Sequence, residues 1–218
     1  MEKLRRGKYV VLEGLDRMGK STIRTALEVY AKSIGHNVEI VYTDRIAGNR
    51  VPAMLGNYPD EIAYMFFWQA IRYSEIVIVE KALTQGTIVL GDRNFLSNLS
   101  YDLWTDLDLE FMRQMEQIYY PLCIKPDMSI ILTASYECFQ RRDDGDTKLS
   151  QSDFINIQQN YKHWGNRLIS DGYIAHFVDS SGTMEEVREK VFTLVCPLLD
   201  ECVLEIQQCI VDVNMIGN

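Results

Sequence analysis

One octet limits the possible architectures more than any other part of this chain. Gly14-Leu15-Asp16-Arg17-Met18-Gly19-Lys20-Ser21 fits G-x-x-x-x-G-K-S and follows directly on the apolar run Tyr9 to Glu13. Glycines at Gly14 and Gly19 let the backbone curl so that its N–H groups converge on an anion. A helix that starts at Lys20 adds the positive end of its dipole. A strand must therefore enter the loop and a helix must leave it. Lys20 supplies a point charge for terminal phosphates, and the Ser21 hydroxyl is a ligand for Mg²⁺. The pattern predicts a triphosphate site.

The rest of the chain continues the alternation. Short β-rich runs at Tyr9 to Glu13, Val38 to Tyr42, Thr87 to Leu90, Met128 to Thr133 and Tyr173 to Val178 alternate with helical stretches. The longest of these stretches is Asp60 to Gln85, ending at Gly86. Others lie near 109–118, 135–142, 151–170 and 183–195. Pro197 fits the first turn of a separate last helix, about 197–213, with an apolar stripe through Leu199, Cys202, Val203, Ile206, Ile210 and Val213. This order predicts an α/β fold in which a five-stranded parallel sheet is sandwiched by helices. Residues 1–218 read as a single domain. Ligands of such sheets bind at the carboxyl ends of the strands. The polar segment 141–153, RRDDGDTKLSQSD, reads as a lid over a nucleotide or as an ordinary surface loop.

Composition narrows the function. The chain has 22 basic and 31 acidic residues among 218, a net charge of −9. That balance argues against a broad grip on nucleic acid, though not against a small anion held by a local basic cluster. The start of the chain lacks the apolar core of a secretory signal, and no apolar run is long enough to span a membrane. The five cysteines lack CxxC spacing and read as free thiols in a reducing cytoplasm. The three histidines form no zinc-ligand spacing.

No guanine-reading NKxD occurs, and the DxxG at Asp179 to Gly182 comes after the fifth strand, too late for a switch element. The third strand instead runs into Asp92-Arg93. An acid followed at once by an arginine, at a strand end facing the phosphate loop, suits Mg²⁺ and a second phosphate together. This points to a small kinase with the P-loop kinase fold, moving phosphate between two bound anions.

These residues resemble the thymidylate kinase family, in the same motif order from Gly7 to about Val195. Glu13-Gly14-Leu15-Asp16-Arg17-Met18-Gly19-Lys20-Ser21-Thr22 is similar to that family's extended phosphate loop. Arg17 resembles the variant in which a loop arginine serves catalysis. The resemblance implies that Asp16, Arg17, Met18 and Thr22 join the ATP site. Tyr42-Thr43-Asp44-Arg45 is similar to the family's F-P-x-R, which makes Arg45 a clamp on the monophosphate. Trp68 and Arg72 match a Phe and an Arg on one helical face, which implies that Trp68 stacks on the base and Arg72 bonds a pyrimidine carbonyl. Asp92-Arg93-Asn94-Phe95-Leu96-Ser97-Asn98-Leu99-Ser100-Tyr101 looks like D-R-Y/H-x-x-S-x-x-A-Y. By resemblance Asp92 helps order Mg²⁺, Arg93 bridges donor and acceptor phosphates, Ser97 and Asn98 line the base pocket, and Tyr101 crowds out a 2′-hydroxyl. Asn94 and Trp68 depart from the usual residues. The resemblance makes Arg141 and Arg142 candidates to lie over adenine, and Val178-Asp179-Ser180-Ser181-Gly182 is similar to the loop on which adenine rests.

The implied reaction is in-line transfer of the ATP γ-phosphoryl to a deoxynucleoside monophosphate, most simply dTMP to dTDP. The acceptor phosphate is already nucleophilic, so Lys20, Arg17, Arg93 and Mg²⁺ need only position and neutralise charge. The resemblance also implies a homodimer. Two rival readings remain. One is a kinase for another deoxynucleotide or a deoxynucleoside, with Asp44 as base. The other is a nucleotide-binding regulator without turnover, against which intact Lys20, Ser21, Asp92 and Arg93 argue.

Overall fold

The computed structural model describes residues 6–42, 61–102, 109–142 and 149–216. Chain order is β1 (Tyr9–Glu13), α1 (Lys20–Ser33), β2 (Val38–Tyr42), α2 (Glu61–Thr84), β3 (Ile88–Asp92), α3 (Phe95–Asp102), α4 (Leu109–Leu122), β4 (Met128–Thr133), α5 (Tyr136–Arg141), α6 (Gln151–Ser170), β5 (Ala175–Asp179) and α7 (Met184–Ile216). The five strands form one sheet in the order β2-β3-β1-β4-β5, and all four pairings are parallel.

Strand burial follows position in that order. The interior strands β1 and β3 are buried at every residue, and β4 at all but its last. The outer strands β2 and β5 are only partly covered. Continuous Val/Ile/Leu runs are what a sheet covered on both faces requires. Alternate residues divide between the faces. Val10, Leu12, Ile88 and Leu90 join the main core with Ile23 and Leu27 of α1 and Phe154, Ile157 and Leu168 of α6. Tyr9, Val11, Val41 and Val89 pack against Val79, Ala82 and Leu83 of α2. The register sets Asp92 beside Leu12 on one neighbour and beside Tyr42 on the other. The ends of β1, β3 and β2 thus form one rim at the phosphate loop.

Two elements differ from the sequence reading. The helix 183–195 and the separate helix 197–213 are one continuous α7, with Pro197 inside it. Val187, Val191, Val195 and Leu199 recur every four residues and are all fully buried. Unbroken packing of that stripe outweighs the one backbone hydrogen bond that proline removes. Of the expected C-terminal apolar stripe, Leu199 is buried, while the side chains from 202 onward lie outside the described residues. The second difference is α3, a helix the alternation did not predict. Asn94 starts it, its Oδ1 accepting the Leu96 N–H at 2.8 Å. The segment 141–153 is described only at its ends. Residues 141–142 close α5, Ser150 caps α6 by accepting the Asp153 N–H at 3.1 Å, and 143–148 lie outside the described residues.

Candidate active site

The loop between β1 and α1 is built on backbone conformations that glycine permits. Gly14 has φ 123° and Gly19 φ 86°. A Cβ on Gly14 would stand 2.4 Å from the Leu132 carbonyl oxygen. Arg17 also holds a left-handed φ, 64°. The cleft here has a volume of about 270 Å³ and is lined by Asp16, Arg17, Gly19, Lys20, Ser21, Thr22, Asp92 and Arg93. Lys20 is buried and donates to the Leu15 carbonyl at 2.7 Å. Burial first, and the neighbouring Arg93 charge second, bring its pKa down to about 7.

Across the rim, Ser21 Oγ donates to Asp92 Oδ2 at 2.6 Å, and Arg24 Nη1 reaches the same oxygen at 3.4 Å. Arg93 has φ 71°, and its N–H donates to the Leu12 carbonyl at 3.0 Å. That turn throws its side chain over the cleft. Its guanidinium donates to Asp16 at 2.5 Å, to Ser97 Oγ and Tyr161 OH at 3.0 Å each, and to Tyr101 OH at 3.4 Å. It also lies 5.4 Å from the Tyr101 ring centroid. Burial raises the Asp16 carboxyl, but Arg93 and Lys20 outweigh that effect and hold it below the usual range. Beneath Arg93, Glu13 is fully buried. It accepts from the Asn94 N–H and from Ser97 Oγ, both at 2.6 Å, and from Tyr161 OH at 3.3 Å. Burial pushes Glu13 up, and the Ser97 hydroxyl, Arg93 and Arg72 offset part of that. This carboxylate locks the turn that aims Arg93.

The long helix α2 brings a second polar group to the sheet. Arg72 and Glu75 form an ion pair of 2.6 Å with side chains 3% and 4% exposed. Burial lifts Glu75 to about 7 against the pull of Arg72. Trp68 is half-buried one turn earlier, edge-on to Phe67 with centroids 5.7 Å apart. Asn98 is buried, and its Nδ2 has no hydrogen-bond partner among the described residues. Ser97 faces inward to Glu13. Arg45 lies outside the described residues.

On the other flank, Arg142 ties three segments together. Its guanidinium donates to the carbonyls of Arg17 at 3.2 Å, Ser180 at 2.5 Å and Gly182 at 3.2 Å. Arg141 is exposed at the end of α5, so Arg142 alone of this pair reaches the phosphate loop. Ser181 accepts the Ser135 N–H at 3.3 Å, and its own N–H goes to Asp179 at 2.9 Å. Met18 is buried, with Ser180 Oγ 3.3 Å from its sulfur, so its side chain fastens the loop to the core. Arg17 lies over the Phe139 ring, 4.9 Å from the centroid.

The "Thymidylate kinase" family model matches residues 12–191, which span this whole rim. The chain belongs to the thymidylate kinase family. Among relatives, it is 28% identical to a thymidylate kinase of Arabidopsis thaliana over 204 residues, covering 90% of this chain and 74% of that one. It is 29% identical to a thymidylate kinase of Caldicellulosiruptor saccharolyticus, covering 89% and 98%. The fold is also that of the Candida albicans thymidylate kinase, with a TM-score of 0.70 at 20% identity over 91% of this chain and 94% of that one.

The family's nucleotide monophosphate kinase activity calls for a divalent cation beside the phosphates, and the residues present suit Mg²⁺. Ser21 and Asp92 offer two hard oxygen donors side by side, and Mg²⁺ held with a nucleotide takes its other ligands from phosphate and water. Sequence reading missed several residues of this thymidylate kinase rim. Glu13 was legible as part of E-G-x-D but carried no role, and Tyr161 and Phe139 gave no signal. The signal for Glu75 was its i,i+3 spacing from Arg72, and for Arg24 its place one turn beyond Lys20.

Proposed function

We propose that this chain transfers the γ-phosphoryl of ATP to dTMP, forming dTDP and ADP. The observation that carries the reading is the rim itself. A glycine-built phosphate loop with Lys20 stands against Arg93, which the buried Glu13 network holds above the same cleft. The end of a triphosphate and a monophosphate can meet there. Lys20 neutralises the donor's terminal phosphates. Arg93 turns the edge of its guanidinium that pairs with Asp16 to the acceptor phosphate. Arg17, over Phe139, supplies charge to the group in flight. When bound, Mg²⁺ screens the charge on the donor phosphates, held through Ser21 and Asp92. Arg142 keeps the loop after β5 close to the phosphate loop, where Ser181 lies beside the adenine.

On the acceptor side, Trp68 stacks on the pyrimidine, Arg72 and Asn98 supply donors to its carbonyls, Arg45 holds the monophosphate, and Tyr101 abuts the sugar. The unpartnered Nδ2 of Asn98 supports this, because a buried amide donor needs an acceptor. We place the enzyme in the cytoplasm, in keeping with free thiols at Cys123, Cys138 and Cys196. Among the described residues no helix is long and apolar enough to cross a membrane. We also propose a homodimer. Phe66, Tyr73 and Val77 form an exposed apolar stripe along α2, the kind of surface a second copy covers.

A coupled ADP-release assay over the four deoxynucleoside monophosphates and thymidine tests the reading. The expected result is the highest kcat/KM on dTMP and none on thymidine. ATP binding with no ADP release on any acceptor would overturn it.

A further inference from the structure

Asp92 is the carboxylate of the metal-suited pair, yet its Oδ2 is already occupied twice. Ser21 Oγ donates to it at 2.6 Å, and Arg24 Nη1 stands 3.4 Å away. Arg24 projects from α1 one turn beyond Lys20. Its guanidinium lies over the Tyr42 ring, 5.2 Å from the centroid, and Tyr42 is the register partner of Asp92 on β2. The strand pairing and the helix therefore converge on one place, and the arginine fills it.

Two features mark Arg24 as a provisional partner rather than a structural one. Its pair with Asp92 is longer than either neighbouring ion pair, Arg93–Asp16 at 2.5 Å or Arg72–Glu75 at 2.6 Å. Its Nε is buried without a hydrogen-bond partner among the described residues. A buried donor left unpaired costs stability, and the one hydrogen bond set against that cost among the described residues is the long one to Asp92. The reason must lie with Asp92.

We propose that Arg24 is a resident counter-ion of Asp92. It balances the carboxylate while the cleft is empty, and so makes the divalent cation enter with the triphosphate rather than ahead of it. A carboxylate already paired with a guanidinium attracts a bare cation weakly. The phosphates of ATP bring enough negative charge to draw the metal in, and Ser21 and Asp92 are then released to it. This inference rests on the Mg²⁺ role assigned above to Ser21 and Asp92. It makes Arg24 a positioning residue, acting through Asp92 and not on the substrate.

The test is titration of Mn²⁺ into the nucleotide-free full chain, followed by electron paramagnetic resonance. Arg24→Gln is expected to bind Mn²⁺ about tenfold more tightly than the parent, because it removes a cation within a few ångströms of the site. Arg24→Met, which keeps an apolar stem over Tyr42, is expected to do the same and serves as the second neutral variant. In Asp92→Asn the site is lost, and adding Arg24→Gln to it restores nothing. With ADP present, parent and Arg24→Gln converge to within about threefold, as the phosphates dominate the field. Neutral variants that bind Mn²⁺ no more tightly than the parent would overturn the proposal. So would a gain that survives in the Asp92→Asn background. ADP release by the parent on dTMP is read separately, so failure of the kinase reading and failure of the counter-ion proposal are distinct results.

Discussion

The proposed donor and acceptor sides of the cleft are built from different materials. The donor side is backbone. Gly14 and Gly19 hold left-handed conformations, and Lys20 and Ser21 follow at fixed positions on α1. The acceptor side is side chain. Arg72 and Glu75 come from α2, Ser97 and Tyr101 from α3, and Tyr161 from α6, and the polar groups around Glu13 and Arg93 come together because the helices pack on the sheet. Charge is also handled differently. The donor-side cations rest on replaceable partners, Lys20 on a carbonyl and Arg17 over a ring. On the acceptor side, Arg72 is sealed against Glu75. A backbone-built site is shaped before its ligand arrives. A side-chain-built site owes its selectivity to packing, and small changes in packing retune it.

If the donor side carries the rate, Arg17→Gly lowers kcat on the order of 10³-fold while the dTMP dissociation constant stays within about twofold. Steady-state kinetics beside calorimetric dTMP titration checks this, and unchanged turnover would break the comparison at its strongest point. If the acceptor side carries affinity, Trp68→Ala raises the KM for dTMP by about tenfold or more through lost stacking, with kcat within a few-fold of the parent. A fall confined to kcat would place Trp68 elsewhere.

Glu75 sharpens the contrast through pH. Its folded pKa of about 7 lies above the ordinary carboxylate value, so its stabilising effect is complete below about pH 4.5 and is lost as pH rises through about 7. Measured by thermal melting, Glu75→Gln should gain on the parent by several degrees between about pH 5 and about pH 8. A gap that does not change with pH would show that Glu75 stays ionised throughout.

Lys20 gives the smallest effect, a fraction of a proton. With its pKa lowered to about 7, part of the Lys20 population is neutral in the empty cleft near neutrality. The triphosphate restores the charge, so ATP binding takes up a fraction of a proton at about pH 7 to 8. Calorimetry in buffers of different ionisation enthalpy reads that uptake. It should vanish in Lys20→Met, and its absence from the parent would contradict the lowered value.

What was legible in the sequence follows the same division. The octet names its own geometry, because glycine suits the left-handed backbone at Gly14 and Gly19, and a following helix gives Lys20 and Ser21 their reach. Asp92-Arg93 was legible because a strand end has one location in a parallel sheet. The network beneath was not. Glu13, Ser97 and Tyr161 are far apart in sequence, and their short hydrogen bonds exist only after β1, α3 and α6 have packed. Ser97, expected to line the base pocket, turns inward because the buried Glu13 carboxylate needs its hydroxyl. α3 went unpredicted because an eight-residue helix carries little periodicity, and its start depends on one side-chain cap at Asn94. Pro197 misled for the converse reason, since local propensity marked a break that the buried stripe of α7 overrides.

The most direct test of the central claim follows the phosphoryl group itself. With ATP labelled at the γ-phosphate and dTMP as acceptor, label is expected in dTDP and almost none in inorganic phosphate. Label that stays in ATP, or that leaves as free phosphate at a rate indifferent to dTMP, would contradict it.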